Sequence, residues 1–205
     1  IENDFRRNIL KSTSSSSLWN LPNKLTMARV ALTPVFIVFA ELCNHRGSRL
    51  SFLLAGIVFA VASYTDMLDG KIARSRGIVT DFGKFMDPLA DKVLTTTALL
   101  YMMDAGVCHP MVLVLVLARE FAVAGLRMVA AGSKSGKVIA ANVYGKIKTV
   151  AQMLTVLVYY FAAAVFGPVV WVQTLTQALC WLVAALTLLS GTIYLYQNRS
   201  FLTEA

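Results

Sequence analysis

Apolar residues run through this chain in six long segments separated by short polar ones. From Thr149 to Asn198 there is no Lys, Arg, Asp or Glu. One membrane-spanning helix needs only about 20 residues, so this stretch is too long for a single span. The sequence 166–170, Phe-Gly-Pro-Val-Val, interrupts it, because Gly-Pro ends a helix and favours a turn. The pattern predicts two spans joined by a tight hairpin.

Earlier apolar segments, each bounded by charged or turn-forming residues, predict four more spans. They are expected at about 25–43, 50–74, 81–103 and 110–131. The predicted fold class is therefore all-α, an integral membrane bundle of six transmembrane helices. Because the number of spans is even, both termini are expected on the same side of the membrane.

The composition agrees with a membrane protein and narrows its partners. Hydrophobic residues make up 57% of the 205 residues and charged residues 15%, where a soluble domain has about a quarter charged. The net charge of +8 is typical of cytoplasmic loops and favours anionic headgroups or substrates. No basic soluble face remains to bind nucleic acid, which we exclude as a partner. The three cysteines match no zinc or disulfide spacing.

Lys and Arg are distributed unequally between the two ends of the predicted spans. With the N-terminus inside, the non-cytoplasmic ends carry only Arg46 and Arg49, and most of the other cations lie at the opposite ends. The positive-inside rule therefore predicts both termini on the cytoplasmic side of an inner or plasma membrane.

The N-terminal residues have a different character. Residues 1–17 contain the run Ser-Thr-Ser-Ser-Ser-Ser, typical of a flexible joint, and lack the apolar core of a signal peptide. We interpret 1–17 as a fusion-derived or flexible segment and 18–205 as one six-helix membrane domain.

Acidic residues concentrate at the cytoplasmic ends of the second and third spans. Five of the eleven acidic residues of the chain lie between 66 and 91. At about 100° per residue, seven positions fall on two helical stripes. The first stripe holds Asp66, Asp69, Gly70 and Ala73, and the second holds Gly83, Asp87 and Asp91. The short connection between the helices allows the two stripes to face each other.

Four converging carboxylates would repel one another, and each charge near the bilayer costs about 2.5–3.5 kcal/mol or more. One or two divalent cations would neutralise them, and all-oxygen ligands favour Mg²⁺ or Mn²⁺, with Ca²⁺ compatible by ligand type. The small residues leave room for a metal-bound phosphate, and Arg74 offers a planar donor to it. The alternative is that the acids only pair with nearby Lys and Arg at the headgroup level.

These spacings resemble the complete signature of a known family. Asp66-x-x-Asp69-Gly70-x-x-Ala73-Arg74, then eight residues, then Gly83-x-x-x-Asp87-x-x-x-Asp91, is similar to the motif of the CDP-alcohol phosphotransferases. The resemblance implies that family's six-spanning fold and a homodimer. Segments 21–40, 117–131 and 145–153 resemble the bacterial branch of the family that makes phosphatidylglycerophosphate.

The resemblance also implies a reaction and roles for the residues. A CDP-linked lipid or alcohol, here CDP-diacylglycerol, would donate its phosphoalcohol group to an acceptor hydroxyl, with CMP leaving. Asp66, Asp69 and Asp87 would bind the metal, expected as two Mg²⁺ or Mn²⁺ ions, and Asp91 would bind metal and act as the base. Gly70, Ala73, Arg74 and Gly83 lie where the family holds the cytidine nucleotide.

The acceptor is predicted from cations elsewhere. Arg119 lies within an apolar run, and Glu120, about 100° away on the helix, is expected to be an imperfect partner, so Arg119 should face a polar cavity. With Arg127, Lys146 and Lys148 it suggests an anionic acceptor such as glycerol 3-phosphate. The alternative for the two lysines is positive-inside anchoring.

Other interpretations stay open at this point. Asn23 and Thr26 either cap the first span or contact the donor. The acceptor could instead be inositol phosphate, serine or phosphatidylglycerol. A divalent-cation transporter and a non-catalytic lipid-binding scaffold are functions of other classes. A transporter is disfavoured because the acids gather at one end and the last two spans are almost wholly apolar.

Overall fold

The fold of the described residues is entirely helical. The computed structural model describes residues 21–76, 81–132 and 143–199, with the backbone alone at 21–22, 67–76, 81–85, 87–88 and 131–132. These ranges contain six helices and no strand. The helices are α1 (Leu21–Arg46), α2 (Arg49–Arg76), α3 (Asp81–Asp104), α4 (Pro110–Gly132), α5 (Val143–Phe166) and α6 (Val170–Gln197).

The helix boundaries agree with the sequence prediction to within a few residues, with α5 beginning several residues before the uncharged stretch. Residues with special backbone geometry account for the sharp ends. Gly47, Gly106 and Gly167 have positive φ values of 58°, 73° and 84°, which disfavour side chains with a Cβ. Gly167 ends α5 and donates its backbone N–H to the Ala163 carbonyl at 2.9 Å. The predicted hairpin between the last two helices is confirmed.

Four of the helices are long and apolar enough to cross a membrane. The qualifying segments, within the described ranges, are Asn23–Arg46, Arg49–Asp66, Val143–Phe166 and Val170–Gln197. The described residues of α3 and α4 contain no such segment. Both helices carry charges inside their length, and α4 has Arg119, Glu120 and Arg127. The charges on these two helices need partners if they too lie in a membrane.

The chain divides into two compact units. The first comprises Ile1–Phe36 and Val58–Leu94 and contains the start of α1 with the second half of α2 and the first half of α3. Its described core includes Phe36 and Phe59, both fully buried, with ring centroids 5.7 Å apart. This unit carries all of the predicted aspartates.

The second unit comprises Ile37–Ile57 and Thr95–Ala205. Within it, α6 packs against both α4 and α5. Val123 and Leu126 of α4 form a buried cluster with Tyr194 of α6. The unit carries all of the predicted acceptor cations.

A glycine lets α2 and α5 approach closely inside the second unit. A Cβ at Gly56 would meet Tyr160 Cβ and the Phe161 ring at 3.3 Å. Small residues at such crossings allow the backbone-to-backbone approach on which helix packing in membranes depends.

We expect Gly56→Val to lower the thermal unfolding midpoint in detergent, because the added isopropyl group must displace packed aromatic side chains. Overpacking of this kind costs about 1–3 kcal/mol. Gly125→Val is the matched control, since a Cβ at Gly125 would meet nothing within 4 Å. Equal midpoints for the two variants, measured by tryptophan fluorescence, would contradict the close approach at Gly56.

Candidate active site

The first unit contains a buried ion pair between α1 and α2. Arg29 Nη1 lies 2.8 Å from Asp66 Oδ1. Arg29 is fully buried, whereas the Asp66 side chain is 33% exposed. One predicted metal ligand therefore has a cationic partner on one oxygen while part of its carboxylate stays accessible.

Arg29 is a functional candidate that sequence reasoning missed. It is the only charged residue between Lys24 and Glu41. A charge inside such an apolar segment is costly unless it is paired, which is the argument that singled out Arg119. Applied to α1, the same argument would have identified Arg29, although not its partner.

Asp91 lies on α3 in the same unit. Its side chain is partly buried, and its Oδ1 atom is shielded from solvent. The remaining signature residues fall on α2 and α3, where the structure gives the backbone but not the side chains. These residues, which lie outside the described side chains, are Asp69, Gly70, Ala73, Arg74, Gly83 and Asp87.

The described carboxylates fit a divalent cation in chemistry but do not by themselves form its site. Asp66 and Asp91 offer only oxygen donors, the type that Mg²⁺ and Mn²⁺ prefer. Among the side chains that the structure describes, no three His, Cys, Asp or Glu residues converge. A site of four carboxylates would need Asp69 and Asp87, so this observation does not bear on it.

Asn23 and Thr26 lie inside α1 and are almost completely buried. Since α1 already includes Leu21, neither residue occupies the position before the first helical turn, where an N-cap stands. Burial of both polar side chains in the first unit, on the helix that carries Arg29, is compatible with the donor-site interpretation.

The second unit holds a network of three charged side chains. Glu120 Oε1 accepts hydrogen bonds from Arg119 Nη1 and from Lys148 Nζ, both at 3.0 Å. The exposed fractions of the Arg119, Glu120 and Lys148 side chains are 12%, 19% and 3%. Such burial strengthens each contact, because little water remains to screen the charges.

The network corrects the expectation for Glu120. Sequence reasoning expected it to be an imperfect partner because adjacent helical residues diverge by about 100°. The prediction was wrong because both side chains are long enough to turn towards each other. Lys148, arriving from α5, gives the Glu120 carboxylate a second cation on the same side.

Arg119 keeps part of its guanidinium available. Nη1 is taken by Glu120, whereas Nε is buried and has no hydrogen-bond partner among the described residues. Guanidinium groups bind carboxylates and phosphates through two parallel N–H donors. Arg119 therefore retains one buried N–H donor for which the described residues supply no acceptor.

The other two predicted acceptor residues lie apart from this network. Arg127 Nε donates to Tyr194 Oη at 3.1 Å, and its guanidinium lies 5.6 Å from the centre of that ring. Lys146 is exposed. The structure thus groups Arg119 with Lys148 and gives Arg127 a partner on α6.

Comparison with known proteins places these features in a family context. The profile of the CDP-alcohol phosphatidyltransferase family matches residues 19–189. A Bacillus subtilis protein is 44% identical over 148 residues, covering 68% of this chain and 75% of its own length. A Rickettsia bellii protein is 34% identical, covering 85% of this chain and 93% of its own length.

A third relative extends the similarity further along the chain. A Shigella flexneri protein is 34% identical over 192 residues, covering 91% of this chain and 98% of its own length. All three relatives are named CDP-diacylglycerol–glycerol-3-phosphate 3-phosphatidyltransferase.

We expect Arg29→Met to destabilise the protein, because it removes the buried cation that lies 2.8 Å from the Asp66 carboxylate. Breaking a fully buried pair costs about 3–5 kcal/mol, and the partial exposure of Asp66 should reduce this to about 1–3 kcal/mol. Lys24→Met, an exposed site on the same helix, is the control.

A double-mutant cycle with Asp66→Asn isolates the ion pair. The double variant should be less destabilised than the two single effects summed, because neither partner is then left charged alone. Additive losses of the unfolding midpoint would show that the 2.8 Å contact contributes little.

Proposed function

This chain belongs to the CDP-alcohol phosphatidyltransferase family, and on that premise we propose that it transfers a phosphatidyl group from CDP-diacylglycerol to glycerol 3-phosphate. The products are phosphatidylglycerophosphate and CMP, so the reaction belongs to phospholipid biosynthesis. The observation that carries the proposal is the match to relatives bearing this activity in their names, over 68–91% of the chain.

All residues proposed to bind CDP-diacylglycerol, the donor, lie in the first unit. The family is generally dependent on a divalent metal, and we assign its binding here to Asp66, Asp69, Asp87 and Asp91, with two Mg²⁺ or Mn²⁺ ions. The metal supplies charge neutralisation at the pyrophosphate. Arg29 holds one oxygen of the Asp66 carboxylate, so the carboxylate keeps a defined orientation.

The cytidine nucleotide is assigned to small and polar residues beside the aspartates. The helix positions of the small residues leave room for the nucleotide to approach the backbone. The proposed donor-binding residues are Asn23, Thr26, Gly70, Ala73, Arg74 and Gly83. Asn23 and Thr26 are included because they lie on the helix that carries Arg29, in the same unit as the aspartates.

The transfer is a displacement at the phosphorus that bears the diacylglycerol. Asp91 takes the proton from a hydroxyl of glycerol 3-phosphate, and that oxygen forms a bond to the phosphorus. The bond from this phosphorus to the bridging oxygen breaks, and CMP leaves with the electron pair. Catalysis of such transfers comes mainly from positioning and charge stabilisation, with a base within hydrogen-bond reach.

The phosphate of the acceptor is assigned to the cations of the second unit. Arg119 and Lys148 with Glu120 carry one net positive charge, which attracts a phosphate group. The Nε donor of Arg119, which has no acceptor among the described residues, supports a direct contact. Arg127 and Lys146 complete the proposed set, Arg127 through a guanidinium held by Tyr194. An uncharged acceptor such as inositol would have less need of these cations.

In the proposed arrangement all six helices span the membrane, with both termini and the aspartates on the cytoplasmic side. Pairing of Arg119 and Lys148 with Glu120 supports a membrane position for α4, because paired charges cost less in a bilayer. We propose a homodimer in a bacterial plasma membrane, surrounded by its lipids, with residues 18–205 as one catalytic domain and 1–17 outside it.

Purified protein should release CMP from CDP-diacylglycerol with Mg²⁺ only when glycerol 3-phosphate is supplied. The matched arms replace it with serine, inositol phosphate or phosphatidylglycerol at equal concentration. CMP release with one of those compounds instead would show that the protein uses a different acceptor, while its assignment to the family would stand. No release with any acceptor, together with metal flux into vesicles, would favour transport.

We expect Asp91→Asn to lower the turnover number by at least about a hundredfold, because the amide cannot take the hydroxyl proton. Binding of CDP-diacylglycerol, measured with labelled donor, should persist. Asp104→Asn, an exposed acid at the other end of α3, is the control. Normal turnover in the Asp91 variant would remove this residue from the role of base.

A further inference from the structure

Two glycines on different helices contact the side chain of Arg119. A Cβ at Gly145 of α5 would lie 2.9 Å from Arg119 Nη2. A Cβ at Gly191 of α6 would lie 2.9 Å from Arg119 Cγ and 3.8 Å from its Cβ. Arg119 belongs to α4, so its side chain occupies space that exists only because both neighbouring helices lack a side chain there.

The two contacts act on different parts of Arg119. Gly191 faces the aliphatic base of the side chain, and Gly145 faces the tip. On the other side of the tip, Glu120 holds Nη1 at 3.0 Å. The Arg119 side chain is therefore fixed by one hydrogen bond and by two close backbone surfaces, and its Nε donor is buried without a partner among the described residues.

We propose that Gly145 and Gly191 are positioning residues that set where the Arg119 guanidinium stands and hence how tightly the phosphate of the acceptor binds. This inference rests on the proposed function, because it assigns the effect to glycerol 3-phosphate. A phosphate held by two parallel donors requires the guanidinium plane in one orientation. Any residue other than glycine at 145 or 191 would change that orientation.

The two positions should respond differently to substitution. Nη2 is the far end of a flexible side chain, so the tip can yield to a new methyl group at 145 at little cost to the fold. Cγ is close to the backbone of α4, so a methyl group at 191 must displace the whole side chain or separate α4 from α6. Gly145→Ala therefore tests the position of the Arg119 guanidinium with little disturbance of stability. Glycine-to-alanine changes inside helices even favour the helix.

The decisive variant is Gly145→Ala, measured in detergent with CDP-diacylglycerol and glycerol 3-phosphate. We expect the KM for glycerol 3-phosphate to rise about tenfold, with the KM for CDP-diacylglycerol and the melting midpoint changed little. Gly125→Ala is the matched control on α4, because nothing lies within 4 Å of its added Cβ. Gly191→Ala should raise the same KM and also lower the melting midpoint.

The Arg119→Lys background shows whether the effect passes through the guanidinium. Lysine has no atom at the position of Nη2, so Gly145→Ala should change the KM by less than about twofold there. An effect of equal size in both backgrounds would mean that the methyl group obstructs the acceptor directly, which overturns the proposal. An unchanged KM in Gly145→Ala overturns it as well. Absence of turnover with glycerol 3-phosphate in the unmodified protein is a separate result, which rejects the proposed function itself.

Discussion

The need to pair every charge that enters an apolar helix organises the described parts of this protein. Arg29, in the middle of an otherwise uncharged stretch of α1, is buried against Asp66 of α2. Arg119 of α4 and Lys148 of α5 converge on the single carboxylate of Glu120. In each case one carboxylate oxygen accepts from a nearly inaccessible cation, which is the condition under which such charges are tolerated in a low-dielectric setting.

The same pairing gives each compact unit a different chemical character. The first unit contains the four aspartates of the predicted metal site, and Arg29 pairs with one of them. The second unit has more cations than acids, and its Glu120 pairs with two of the cations. Clustered carboxylates suit a cation-bound pyrophosphate, whereas guanidinium and ammonium groups suit a phosphate. The two proposed substrates differ accordingly. The pyrophosphate of CDP-diacylglycerol would bind through metal ions, and glycerol 3-phosphate would bind as an anion.

Sequence reasoning predicted the helices well because long apolar segments and glycine turns are local signals. The hairpin at Gly167 and the start of α3 at Asp81 needed no information from elsewhere in the chain. The partners of the buried charges could not be predicted, because they depend on which helices pack together. Glu120 was discounted from its helical angle alone, and the second cation that draws it towards Arg119 comes from a residue 28 positions later.

The contribution of glycine was equally hidden in the sequence. Gly125 and Gly191 look alike as single glycines within apolar helices, yet one faces open space and the other faces Arg119. The two helical stripes identified Gly70 and Gly83, because both glycines accompany aspartates at helical spacing. Helix α6 has no charged residue, so only the fold shows that Gly191 lies beside Arg119. The aspartate stripes themselves remain predictions where their side chains lie outside the described residues.

The hairpin of α5 and α6 also bears on how the protein is made. Between Thr149 and Asn198 the chain contains no Lys, Arg, Asp or Glu. The turn at Gly167 is closed by a backbone hydrogen bond to Ala163. A pair of helices of this kind can leave the translocation machinery together and partition into lipid without dragging a fixed charge through the hydrocarbon. Its orientation during biosynthesis then depends on the cations just outside it, so Lys148 would help to direct insertion before it ever meets Glu120.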